Sequence, residues 1–296
     1  MIIDFHTHVF PKEIRENREK YFLSEPAFKL LYGRPESKLV GAGELVDSMN
    51  SQGVDRSVIF GFPWKNSDTF KKHNDYIIKS TQRYPDRLTG FCCVDIFSRQ
   101  AIPEIMRCCE SGLSGVGELA LYESSHESGH ESGIDEEFLK RLEPVMGICL
   151  DKNLPVLIHT NEPVGHQYPG KTPNTFRQIY RLITKFPENK IVLAHWGGGI
   201  FFFSLLKKEV KESFNNIYFD TAASPFLYDA KIYRIAINIL GQEKIIFGSD
   251  FPLLTPARYL KEFDQAGLTK NEINSICGEN AARLLNLGSP AGSVGF

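Results

Sequence analysis

Two histidines, His6 and His8, flank Thr7 at the end of the first apolar segment of the chain. In an extended strand, residues two apart point to the same side, so both imidazoles can grip one ion. A His-x-His pair alone is weak ground for a metal. Four further residues strengthen it: Glu118, His159, His195 and Asp250 each end or follow a short apolar run. Four of the chain's eight histidines fall at such places. A buried carboxylate without a partner is costly, and here two carboxylates join four imidazoles. One metal site accounts for all six together. Satisfied core histidines and a capping aspartate would each need a separate reason. Imidazole with carboxylate suits Zn²⁺, with Mn²⁺ or Fe²⁺ as alternatives. Such an ion brings the pKa of bound water down to about 7. The expected reaction is hydrolysis of an ester, lactone, amide or phosphoester bond.

The elements that must position these groups alternate along the chain. Strands are expected at Met1–His6, Arg56–Phe62, Leu88–Val94, Gly115–Leu119, Pro155–His159, Lys190–His195, Asn216–Asp220 and Lys244–Phe247. Helical spacing marks Gly43–Gln52, Asp68–Arg83, Arg99–Glu110, Asp135–Lys152, Thr172–Phe186, Phe202–Ser213, Asp229–Leu240 and Thr269–Leu287. Pro173 would sit in the first turn of its helix, where a missing N–H costs least. The strands are short and apolar rather than alternating, as parallel strands covered by helices are. Eight units in 296 residues predict an α/β chain folded as a (β/α)₈ TIM barrel, one domain over 1–296. The six candidates then share the C-terminal rim, the catalytic face of that fold. An open doubly wound sheet would carry a glycine-rich turn after its first strand, where this chain has histidines.

Composition narrows the partners. Lys plus Arg number 34 against 36 Asp plus Glu, and no basic stripe stands out. Nucleic acid is therefore not the expected main partner. No apolar run reaches the roughly 18 residues of a membrane span. The first residues show no signal-like segment. Six cysteines lie mostly inside apolar segments and read as free, buried thiols of a cytoplasmic protein. A small-molecule substrate is the partner that remains.

Five segments together resemble the amidohydrolase superfamily of metal-dependent barrels, in particular its amidohydrolase 2 branch. They are Asp4-Phe5-His6-Thr7-His8, Pro155 to Thr160, Leu193 to Gly198, Phe247 to Pro252 and Gly278 to Leu285. Gly117-Glu118-Leu119 is also similar to the strand-four glutamate element of TatD-like deoxyribonucleases. The resemblance implies that His6, His8 and Asp250 bind a more buried metal, and His159 and His195 a second one. Glu118 would bridge them where many relatives use a carboxylated lysine. Some members of the branch work with one ion on His6, His8, His159 and Asp250, leaving His195 to act on substrate or water. Asp250 and His195 are the implied catalytic residues, with Asp250 taking the proton of the attacking water.

The resemblance also implies an alternative, non-oxidative decarboxylation of an unsaturated or aromatic carboxylic acid. Lys65 or Arg258 could then pair with the substrate carboxylate. Glu118 counts against this alternative, since an extra carboxylate would repel an acid. A catalytically dead scaffold is disfavoured because no ligand is missing. Specificity should come from loops. The connection at 9–40 is long, aromatic-rich, and could cap the mouth, meet a second subunit in a homodimer, or pack on outer helices. Trp64, Tyr122, Trp196 and Asn161 are candidates to line the pocket. The polar run 123–133 reads as an exposed loop that could bring His126 and His130 to the site. Nucleotide binding at Gly197-Gly198-Gly199 is disfavoured, because no spaced lysine follows.

Overall fold

The computed structural model describes residues 1–122 and 134–287. Eight strands run in parallel: β1 (Ile3–His8), β2 (Arg56–Phe60), β3 (Leu88–Gly90), β4 (Val116–Leu119), β5 (Val156–Ile158), β6 (Ile191–Leu193), β7 (Ile217–Asp220) and β8 (Ile245–Ile246). They pair as β1-β2-β3 and as β4 through β8. Two seams join the groups. Cys92 bridges Val116, with Cys92 N–H donating to the Gly115 carbonyl at 2.9 Å. Thr7 bridges Phe251, with His8 N–H donating to the Phe251 carbonyl at 2.8 Å. The sheet is thus the TIM barrel expected from the alternation.

Valine, isoleucine, leucine and phenylalanine dominate the strands because both faces are covered. One apolar cluster fills the interior with Ile3, Phe5, Val58, Phe60, Phe91, Leu157, Val192 and Ile246. The larger cluster lies between strands and helices.

The helices in chain order are α1 (Lys12–Glu16), α2 (Pro26–Tyr32), α3 (Ala42–Gln52), α4 (Ser67–Arg83), α5 (Ala101–Glu110), α6 (Glu136–Asp151), α7 (Phe176–Lys185), α8 (Lys208–Ser213), α9 (Ser224–Leu227), α10 (Lys231–Leu240), α11 (Pro256–Gln265), α12 (Lys270–Asn274) and α13 (Asn280–Leu284). Side-chain caps set several starts: Asn66 for α4, Asp135 for α6 and Thr175 with Gln178 for α7. The Thr175 cap leaves Pro173 outside α7, so the expected start at Thr172 was early. The amphipathic α11 has no counterpart in the sequence reading. The last expected helix is broken by a π-turn at Ser275–Glu279. That turn points the Ile276 carbonyl at Phe247 N–H, 2.9 Å away.

The 9–40 segment is more than a connection, since it holds α1, a 3₁₀ turn and α2. Phe10 N–H donates to the Val40 carbonyl at 2.7 Å and closes its neck. Among the described residues no helix is long and apolar enough to cross a membrane. All six cysteines are free thiols, and five are buried.

Candidate active site

Two irregularities in the sheet aim the central residues. Between Asp4 and Thr7, β1 carries one residue more than β2 opposite it. A bulge of this kind changes which face the following residues point to. Phe5 can therefore fill the barrel while its neighbour His6, and then His8, also turn inward. A second extra residue lies between Val116 and Leu119 on β4, and it turns Glu118 toward the same place. Gly117 has φ 135°, and a side chain there would collide with the Leu157 carbonyl. A side chain at Gly248 would meet the His6 Cβ at 2.7 Å. Glycine is what lets β8 pass His6.

All six residues expected from the sequence converge. His6 Nε2 lies 3.7 Å from Glu118 Oε2 and 3.6 Å from Asp250 Oδ1. His8 Nε2 lies 3.7 and 3.5 Å from the same two oxygens. The other Glu118 oxygen is 2.8 Å from His159 Nδ1 and 3.7 Å from His195 Nε2. Glu118 thus stands between two groups of histidines. His195 is not on its strand as expected: β6 ends at Leu193, and His195 opens a left-handed turn running to Gly199.

Two residues given no role in the sequence reading hold this arrangement. Asp220, at the end of β7, is fully buried. Its Oδ2 is 2.8 Å from His6 Nδ1, and its Oδ1 accepts the His195 N–H at 2.8 Å. Its signal was available, for it ends a strand as the other candidates do. Asp4 accepts the Ser249 N–H at 2.8 Å and the Ser249 hydroxyl at 2.5 Å, tying β1 to the Gly248-Ser249-Asp250 turn. Burial raises the Asp4 pKa to about 6, against those hydrogen bonds.

The outer nitrogens of three imidazoles are occupied. His6 Nδ1 faces Asp220, His159 Nε2 donates to the Gly170 carbonyl at 2.9 Å, and His195 Nδ1 donates to the Ala222 carbonyl at 3.0 Å. Their other nitrogens face the centre, the pattern that outer-shell acceptors impose on metal-binding histidines. His6 Nε2 is buried and has no hydrogen-bond partner among the described residues. Burial opposes charge throughout, yet Glu118 and Asp250 are held below the usual carboxylate range by surrounding imidazoles. The His6 pKa is lowered by burial but raised more by Asp220, Glu118 and Asp250, to about 10. Two ionised carboxylates facing these rings demand positive charge, from protons or from a cation. Donors 3.5–3.7 Å apart match the roughly 3.4 Å between ligands of a tetrahedral ion with bonds of about 2.1 Å. The residues fit a divalent metal.

The other candidates divide. Tyr122 lies beside the site, its ring 5.7 Å from that of His159 and stacked on Phe62 at 5.9 Å. Trp64 is fully buried behind this wall, with its indole N–H on His73. Trp196 is also fully buried and donates to the Ser224 hydroxyl. Asn161 spends its amide on Thr172 and Glu162, closing the 162–171 loop. Arg258 is exposed near the start of α11. Lys65 borders a separate cavity of about 220 Å³ with Glu25, Asp95 and Tyr122. His126 and His130 lie outside the described residues.

A family model described as Amidohydrolase matches residues 3–287. The chain belongs to the amidohydrolase family. This amidohydrolase-family chain is 24% identical to a 2-amino-3-carboxymuconate-6-semialdehyde decarboxylase of Dictyostelium discoideum, over 96% of its own length and 91% of the relative's. The 5-carboxyvanillate decarboxylase of Sphingomonas paucimobilis superposes with a TM-score of 0.75 at 20% identity, covering 96% of this chain and 98% of that one. A dihydroxybenzoic acid decarboxylase of Polaromonas sp. JS666, solved with manganese and 2-nitroresorcinol, gives a TM-score of 0.71 at 18% identity, covering 98% of each chain. These relatives overturn the expectation of a hydrolase, since each is a decarboxylase. Ligand types could not separate the two reactions, because the same imidazoles and carboxylates can hold an ion for either. The objection from Glu118 is overruled by the same comparisons.

Proposed function

We propose that this amidohydrolase-family chain is a metal-dependent, non-oxidative decarboxylase of a small aromatic or unsaturated carboxylic acid. The observation that carries it is the convergence of four imidazoles, Glu118 and Asp250 in a chain that aligns nearly end to end with a decarboxylase. His6, His8, Glu118 and Asp250 would hold a divalent ion, with His159 and His195 across Glu118 from it. Three of the related structures were solved with manganese, so manganese stands ahead of zinc. When bound, the ion supplies the positive charge that draws an anionic acid into a site lined by carboxylates.

The reaction breaks one carbon–carbon bond, releases CO₂ and places one proton on the carbon left behind. Nothing is oxidised or reduced. The chain's part is to orient the acid and to supply that proton. His195 presents Nε2 to the site while Ala222 fixes Nδ1. Burial, followed by the field of His159, lowers its pKa, so the ring rests neutral and releases readily any proton it acquires. Asp250 is the proposed partner in this transfer. Tyr122, backed by the buried Phe62, closes the side of the site beside His159 and excludes water there.

The test is CO₂ release from a panel of hydroxybenzoic, methoxybenzoic and muconic-type acids by manganese-loaded protein. Release from at least one acid, abolished by chelator and restored by metal, is expected. No CO₂ from any of them at full metal occupancy overturns the reading.

A further inference from the structure

The loop between β5 and α7 is folded around one buried cation. Residues 163–169 are all exposed, so apolar burial does not hold the loop. The Lys171 side chain, by contrast, is only 5% exposed. Its ammonium donates to the Glu162 carboxylate at 3.1 Å, to the Val164 carbonyl at 2.6 Å and to the His166 carbonyl at 3.3 Å. Three acceptors thus take the three N–H groups of an ammonium. Its charge also lies 5.6 Å from the centre of the Tyr168 ring, and the Tyr168 hydroxyl donates to the second Glu162 oxygen at 2.8 Å. Hydrogen bonds from a charged donor are the stronger kind, and here they link positions 162, 164 and 166 to position 171.

That fold delivers one group to the site. Gly170 is buried beside Lys171, and its left-handed backbone, φ 95°, is one that glycine adopts without strain. Its carbonyl accepts from His159 Nε2 at 2.9 Å. His159 Nδ1 lies 2.8 Å from one oxygen of Glu118, whose other oxygen faces His6 and His8. Contacts therefore run from Lys171 through Gly170, His159 and Glu118 to the proposed metal donors. On the far side Thr172 is tied separately, its N–H and its hydroxyl both donating to Asn161 Oδ1 at 2.7 Å. Gly170 is held between these two anchors.

We infer that Lys171 is a positioning residue for the metal site: by folding the 162–171 loop it keeps the Gly170 carbonyl on His159 and the His159 ring turned to Glu118. Groups behind metal donors orient them in this way and strengthen binding. The inference rests on the metal site of the proposed function and is independent of which bond the enzyme breaks.

Lys171→Met keeps an unbranched side chain and removes all three donors. The first readout is the histidine ring N–H signals in ¹H–¹⁵N spectra of the full, zinc-loaded chain, since zinc is diamagnetic and manganese is not. The His159 signal is assigned by its absence in His159→Gln. In the wild type the His159 Nε2 proton is expected to be protected from exchange with water. In Lys171→Met that signal is expected to be lost, while the ring protons of His6 and His195, held by Asp220 and Ala222, persist. The second readout is metal affinity by chelator competition, expected to fall about tenfold, the low end for losing a group behind a metal donor. A His159 signal that persists in Lys171→Met overturns the inference, as does unchanged metal affinity. Loss of all three ring signals together also overturns it, because Lys171 would then support the whole site and not His159. A wild type that takes up neither zinc nor manganese counts against the metal site of the proposed function, and the ring comparison is then made on the metal-free chain.

Discussion

Asp220 Oδ2 lies 2.8 Å from His6 Nδ1, joining the end of β7 to the end of β1 across 214 residues of sequence. The contact fixes the His6 ring with Nε2 toward Glu118 and Asp250. Asp220 also receives the backbone N–H of His195, so one carboxylate orients a residue of β1 and one in the turn after β6. Asp220→Asn is expected to weaken metal binding 10- to 100-fold, in the range for losing an acceptor behind a ligating histidine. Competition with a fluorescent chelator measures this. Unchanged affinity would show that Asp220 supports the fold and not the ion.

Asp250 and His195 are separable as proton carriers. Asp250→Asn is expected to reduce kcat for CO₂ release by about 10²-fold or more, a usual contribution from a placed proton donor. The comparison must be made at equal metal occupancy, because Asp250 is also a proposed ligand. Near-full kcat in metal-loaded Asp250→Asn, together with a large loss in His195→Gln, would assign the proton to His195 alone.

Glu118 faces both histidine groups, through a different oxygen for each. If it joins two ions, Glu118→Gln should lose one of them while His6, His8 and Asp250 keep the other. Elemental analysis and anomalous diffraction on both proteins count the ions. A single ion in the wild type under metal-replete conditions, unchanged in Glu118→Gln, would leave Glu118 with a purely electrostatic part in the site.

His73 links stability to pH beneath the 9–40 segment. Its Nε2 donates to the Val9 carbonyl at 2.7 Å, and its Nδ1 accepts the Trp64 indole N–H at 2.9 Å. Burial lowers its pKa to about 4. The unfolded chain, with an ordinary histidine, takes up a proton as pH falls below about 6.5, while the folded chain does not until about 4. Stability from this group is therefore complete above pH ~6.5 and is lost as pH falls toward 4, by roughly 2–3 kcal/mol. Urea unfolding at pH 7.0 and 5.0 should show a smaller drop for His73→Gln than for the wild type. Equal drops would assign the acid sensitivity to other groups.

The candidate residues and the strands that carry them were legible in the sequence because they are written in local units, whereas the reaction was not. Each candidate ends or follows a short apolar strand, and parallel strands bring such ends together on one rim. His6, His8, Glu118, His159, His195 and Asp250 could therefore be named, and so could the barrel. Other features depended on contacts between distant parts of the chain. The extra residues in β1 and β4 show only against the register of β2 and β5, because strand parity alone places His6 and Phe5 on opposite faces. Asp220 acquires its role only when β7 lies near β1. Trp196 follows a site histidine in sequence but turns into the core, because the left-handed turn after Ala194 reverses its direction. The 9–40 segment carried an excess of aromatic residues, but only packing decided which of them are core, like Phe10 and Phe28, and which stay partly exposed, like Tyr21 and Tyr32. The candidate residues were marked by local spacing, while the partners of each of them and the shape of the pocket were set by long-range packing that spacing does not encode.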